Sequence, residues 1–144
     1  MKSSRIFCAV FLVSSLLQIS CSKDHIYDHS KLEGTWLVED VENPKDLVIS
    51  QGDTVRIVHY IGWDPSYSFY MFVYNPDKRT TWKDDEMPEG YTHVYDCSCT
   101  EFGFTCYFLG RPSVSFFFRT LTNHKLEFEG VKSQSRFKLR HLKE

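Results

Sequence analysis

Between Trp36 and Tyr107 the chain runs in short apolar-polar alternations, each ended by a turn sequence. "TWLVEDV" and "DLVIS" flank Asn43-Pro44, and "TVRIVHYIGW" places Val55, Ile57, His59 and Ile61 on one face, with Arg56, Val58 and Tyr60 on the other. "WDPS" and "NPDK" are turns, "SYSFYMFVYN" is dense in aromatic and β-branched residues, "RTTWK" is a short strand and "DDEMPEG" a polar loop. "YTHVYDCSC" and "FTCYFLG" face each other across "TEFG". A period of two in hairpin after hairpin predicts an antiparallel sheet. Such a meander leaves unpaired edges unless it closes on itself, so an up-and-down β-barrel is the expected architecture.

The stretch after Pro112, "SVSFFFRTLTNHKLEFEG", supports two readings. Three consecutive Phe residues favour a strand. Val114, Phe117, Phe118, Leu121 and Phe128 fall at helical spacing, with Ser113 as N-cap and Gly130 as stop.

The start of the chain has a separate character. Lys2 and Arg5 precede a mostly apolar run, Ile6 to Ile19, which is too short to span a membrane and has the form of a secretory signal peptide. Ser20 and Ser22 are the alternative cleavage points. Cleavage after Ser20 leaves residues 21–144 as one domain, and the expected location is extracellular. "LQISC" also has the shape of a bacterial lipoprotein box, which would acylate Cys21, although Gln18 stands where that box takes an apolar residue. The chain has 17 basic and 19 acidic residues, and without Lys2 and Arg5 the balance is −4. With no basic stripe, a nucleic-acid partner is not expected. Aromatic residues make up 16% of the chain, far above a disordered composition.

"YDHSKLEGTW", Tyr27 to Trp36, resembles the first signature of the lipocalin family through Asp28, Lys31, Gly34 and Trp36. The resemblance implies a 3₁₀ turn across one end of a small barrel, with the Trp36 indole filling its floor. "YTHVYDC" resembles a second lipocalin segment, without its Thr-Asp pair. "YFLGRPS" resembles the end of the family's last strand, which implies that Arg111 lies over Trp36 and that a helix follows. The tail around "FEGVKSQSRF" resembles the helix end and short final strand of invertebrate apolipoprotein-D-like lipocalins. The whole reading is a mainly β, lipocalin-like barrel with a C-terminal helix packed outside. It would be shortened, because only residues 34–90 remain to supply about six strands of ordinary length.

Export makes disulfides expected. Cys99 and Cys106 are symmetric about Phe102-Gly103 and would lie opposite on that hairpin. The family resemblance further implies a Cys21–Cys97 bond. Asp24, His25, Asp28 and His29 do not make a convincing metal site, His59 reads as a core histidine, and Glu127 with Glu129 lacks any nucleophile or acid-base partner. No cofactor, metal or enzymatic activity is therefore expected. The leading function is the binding or transport of a small hydrophobic molecule inside the barrel, with Tyr67, Phe69, Met71 and Val73 as one candidate wall and Ile57 beside them. The alternative is a filled barrel that binds a protein partner through its loops, with Trp63 and Trp82 as anchors.

Overall fold

The computed structural model describes residues 27–61, 67–75, 77 and 90–143. A 3₁₀ turn, His29–Leu32, leads into eight strands: β1 Gly34–Glu42, β2 Thr54–Tyr60, β3 Ser68–Tyr74, β4 Tyr91–Cys99, β5 Gly103–Tyr107, β6 Val114–Leu121, β7 Lys125–Gly130 and β8 Arg136–His141. Each strand pairs antiparallel with the next, and β8 returns to β1, so the sheet closes into a barrel without edges. The signal-peptide segment, Cys21, Trp63, Trp82 and the "RTTWK" strand lie outside the described residues.

Alternation along each strand determines what the barrel encloses. Trp36 and Val38, Val55 and Ile57, Phe69, Met71 and Val73, Phe116 and Phe118, and Phe137 and Leu139 are buried at every second position. The outward residues between them, Leu37, Arg56, Tyr70, Phe72, Phe117 and Lys138, are half-buried or exposed. The face of β3 that carries Phe69, Met71 and Val73 is therefore the inner one. The predicted inward face of β2 ends at Ile57, because His59 is exposed and Ile61 beyond it is 95% exposed.

Two expectations require correction. The segment after Pro112 is a β-hairpin, β6 and β7, and among the described residues the only helical element is the 3₁₀ turn. The helical spacing arose from a break in register between Phe118 and Thr120. A bulge there adds one residue, so Phe118 and Leu121 both face inward although three positions apart. Residues 34–90 also need not supply about six strands: among the described residues they supply three, and the other five of the closed barrel come from Tyr91 onward.

The end where β1 begins is closed by the N-terminal segment. Asp28 caps the 3₁₀ turn, its carboxylate accepting from the Ser30 backbone N–H at 3.1 Å and from the Ser30 hydroxyl at 2.6 Å. Leu32 is fully buried, and its carbonyl accepts the Trp36 indole N–H at 2.8 Å. Tyr27 packs on Phe118 with ring centres 5.3 Å apart and donates its hydroxyl to the Phe118 carbonyl at 3.0 Å. His29 approaches both Tyr67 and Phe118. Contacts from Tyr27 and His29 to Phe118 of β6, and from His29 to Tyr67 before β3, carry this segment across the opening.

The opposite end is covered by the β1–β2 connection. "DLVIS", read as a strand from its alternation, has no partner strand, yet Leu47 and Ile49 turn down and are only 2% exposed. The Val48 N–H bonds the Tyr95 hydroxyl at 2.7 Å, and Ser135 Oγ donates to the Asn43 carbonyl at 2.6 Å. Asp53, fully buried, accepts from the Ser50 N–H at 2.8 Å and from the Asn75 side-chain amide at 2.6 Å.

Trp36 and His141 are direct partners across the β1–β8 seam, and their rings meet edge to face at 4.9 Å. Gly34 has φ +135°, and a Cβ there would stand 2.5 Å from His141 Nε2. Trp36→Ala should lower unfolding free energy by about 3–5 kcal/mol. Gly34→Ala should also destabilise, through backbone strain and displacement of His141. Urea unfolding followed by far-UV circular dichroism measures both, and a Trp36→Ala chain as stable as the parent would remove the seam from its central place.

Candidate functional site

The inner wall predicted for a ligand is part of the core. Ile57, Phe69, Met71 and Val73 are at most 2% exposed. Phe69 meets Phe104 at 5.6 Å, Phe104 meets Phe116 at 5.1 Å and Phe128 at 5.0 Å, and Phe128 stacks on Phe137 at 4.9 Å. These are aromatic contact distances. Rings from β3, β5, β6, β7 and β8 therefore meet one another in the middle of the barrel. Tyr67 lies at the edge of this cluster at the end where β1 begins, half-buried, 6.4 Å from the Phe69 ring and with His59 stacked on it at 4.1 Å. Burial pushes the Tyr67 phenol up to about 12.

An opening lies on the rim at the end covered by the β1–β2 connection. Asp46 of the β1–β2 connection, Arg111 to Ser113 of the β5–β6 loop, Val114 and Ser115 of β6, and Val131 to Ser133 of the β7–β8 turn line a cleft of about 640 Å³. That volume falls within the range of small-molecule sites. Val114, Val131 and Pro112 give it apolar surface. Arg111 and Lys132 bring two cations against the single carboxylate of Asp46.

Arg111 is far from where the family resemblance put it. Its guanidinium sits over the Phe108 ring at 3.7 Å, in the loop between β5 and β6. In an up-and-down barrel that loop is at the end opposite the start of β1, so Arg111 cannot cover Trp36. "YFLGRPS" does not close the last strand. β8 does, and His141 takes the place beside Trp36.

The cysteines need a similar correction. Cys97 pairs with Cys106 and Cys99 with Phe104, because the turn is centred on Glu101 and Phe102. A Cys99–Cys106 bond is not formed, and Cys97, Cys99 and Cys106 are all free thiols in the structure. Burial pushes Cys99 up to about 12 and Cys97 well above the ordinary thiol range.

Other ionisable residues serve the fold. Glu129 on the outer face accepts from Arg119 at 2.8 Å and lies 3.4 Å from Arg136, and the Arg119 hydrogen bond holds its carboxyl below the usual range. Among the described residues no group of three or more His, Cys, Asp or Glu is placed to hold a metal, and no helix is long and apolar enough to cross a membrane. Sequence reasoning missed Lys132, Ser113, Val114 and Val131 as cleft residues. Nothing in their local pattern distinguishes them from ordinary turn residues.

Comparison with protein-family profiles, with curated proteins and with solved structures returns no match. The closed barrel of eight antiparallel strands is compatible with a lipocalin-like fold.

His29 provides a pH test of the closed end. Burial lowers its pKa below 6.5, against the opposing pull of Asp28 and the Thr100 backbone, and its Nε2 is buried with no hydrogen-bond partner among the described residues. The unfolded chain therefore binds the proton more readily than the fold. Stability should be complete above about pH 6.5 and should decline as pH falls through that value toward the folded pKa. Urea unfolding between about pH 7.5 and pH 5 should show this decline, with a smaller one in His29→Phe. An unchanged slope in the variant would assign the effect elsewhere.

Proposed function

We propose that this chain is a non-enzymatic, secreted binding protein of lipocalin-like form. Its ligand is a small amphipathic molecule with an acidic head group, held in the rim cleft instead of the barrel interior. The rim cleft carries this reading. It joins apolar surface from Val114, Val131 and Pro112 to the cations of Arg111 and Lys132, whereas the inner wall is occupied by its own phenylalanines. An acid group would meet the cations, and an alkyl or aryl body would lie along the valines. Arg111 suits such a carboxylate, because its planar head can donate two parallel hydrogen bonds.

A second reading is supported by the outer face of β2–β4. Tyr60 stacks on Tyr70 at 4.3 Å, Tyr70 neighbours Phe72 at 6.0 Å, and Phe72 neighbours Tyr91 at 5.9 Å. Tyr70 and Val94 stay more than a third exposed. Aromatic rows of this kind occur at protein interfaces, which fits a filled barrel that binds a protein partner.

Titration with a fluorescent long-chain fatty acid, and with the corresponding fatty alcohol, separates the possibilities. The acid should bind and the alcohol should bind more weakly. Arg111→Ala and Lys132→Ala should each weaken acid binding about 3–10-fold, or about 0.6–1.4 kcal/mol. Equal binding of acid and alcohol, with no effect of either substitution, would return the ligand to the interior. No binding of either, together with a sedimentation coefficient that changes in Tyr70→Glu, would favour the aromatic face.

A further inference from the structure

The β4–β5 hairpin places two sulfurs together inside the barrel. Cys97 and Cys106 are register partners, both fully buried, with their Sγ atoms 2.9 Å apart. The Thr100 N–H bonds the Gly103 carbonyl at 2.9 Å. Hydrogen-bonded and non-hydrogen-bonded pairs alternate along an antiparallel ladder, so Ser98–Thr105 is of the first kind and Cys97–Cys106 of the second. Non-hydrogen-bonded partners bring their Cα atoms to roughly 4.5 Å and their side chains closest, within the span that a disulfide bridges. From 2.9 Å the sulfurs need approach by only about 0.9 Å to reach bonding distance. Cys99 has no such neighbour, since its register partner is Phe104.

We infer that Cys97 and Cys106 form a cross-strand disulfide, made while the hairpin is still accessible and then sealed in the core, and that Cys99 remains a thiol. The oxidant is a low-molecular-weight disulfide. One cysteine thiolate attacks a sulfur of that disulfide and expels a thiolate. The second cysteine then attacks the mixed disulfide and expels the other thiolate. Two protein thiols lose two protons and two electrons, and one small disulfide becomes two small thiols. Once the barrel closes, burial raises the Cys97 thiol far above the ordinary range, so the reactive thiolate is suppressed and the exchange belongs to folding. The bond would pin β4 to β5 in the register that sends Phe104 inward.

The full chain is unfolded, reduced and refolded with reduced and oxidised glutathione, then alkylated and digested without reduction. Mass spectrometry should find Cys97 joined to Cys106, with Cys99 alkylated only after denaturation. The oxidised protein should melt roughly 5–15 °C above its reduced form. Cys99→Ser should keep that difference, and Cys106→Ser should abolish it. A Cys99–Cys106 link, a Cys97–Cys21 link, or free Cys97 and Cys106 in the refolded chain would overturn the assignment. The digest of the parent chain decides the matter even where a variant fails to fold.

Discussion

The β1–β8 seam is the constraint on which the rest of the structure depends. Until β8 pairs with β1 the sheet has two open edges, and its phenylalanine face has no opposite side. Six register pairs join the two strands, from Trp36–His141 to Glu42–Arg136. The partners lie about a hundred residues apart, so closure carries a large loop-entropy cost that only a well-packed interior can offset. Trp36 contributes at that point. Its indole is buried, its N–H is satisfied by Leu32, and its ring meets the residue that ends the last strand.

Closure leaves two openings, and the chain covers them by different means. At one end a capped 3₁₀ turn reaches over to Phe118 and Tyr67. At the other, an extended connection inserts Leu47 and Ile49 and is tied down by Tyr95, Ser135 and Asp53. With both ends covered and aromatic rings meeting inside, the ends of the strands and the loops between them become the natural place for recognition. The rim cleft is built from three such connections, each anchored to a strand of the closed sheet. A rigid barrel that carries variable loops is a common division between scaffold and site.

Two of the corrected elements share one cause. The symmetry of Cys99 and Cys106 centres the hairpin on Phe102-Gly103, whereas the turn lies one residue earlier and sets Cys97 opposite Cys106. The bulge after Phe118 added one residue and made a strand look helical. The resemblance of "YFLGRPS" to the end of a last strand puts Arg111 beside β1, although three more strands follow β5. The first two are slips in counting along a period of two, and the third is a local likeness that carries no strand number. Such a slip changes which residues face each other while leaving the apolar-polar pattern almost untouched.

The sequence by itself determined the β character, the closure of the meander into an up-and-down barrel, and the strand segments from β1 to β5. These follow from local properties: alternation, β-branching and turn residues between the apolar runs. Only the tertiary structure decided that residues 114–130 pair as two strands, that His141 meets Trp36, that "DLVIS" is a cover without a partner, and that Arg111 joins Lys132 at the far rim. Each of these depends on pairing between distant segments and on the odd or even count of residues between them. Local apolar pattern is nearly blind to that count, and the closed barrel resolves it because only one register lets every strand bury its inner face at once.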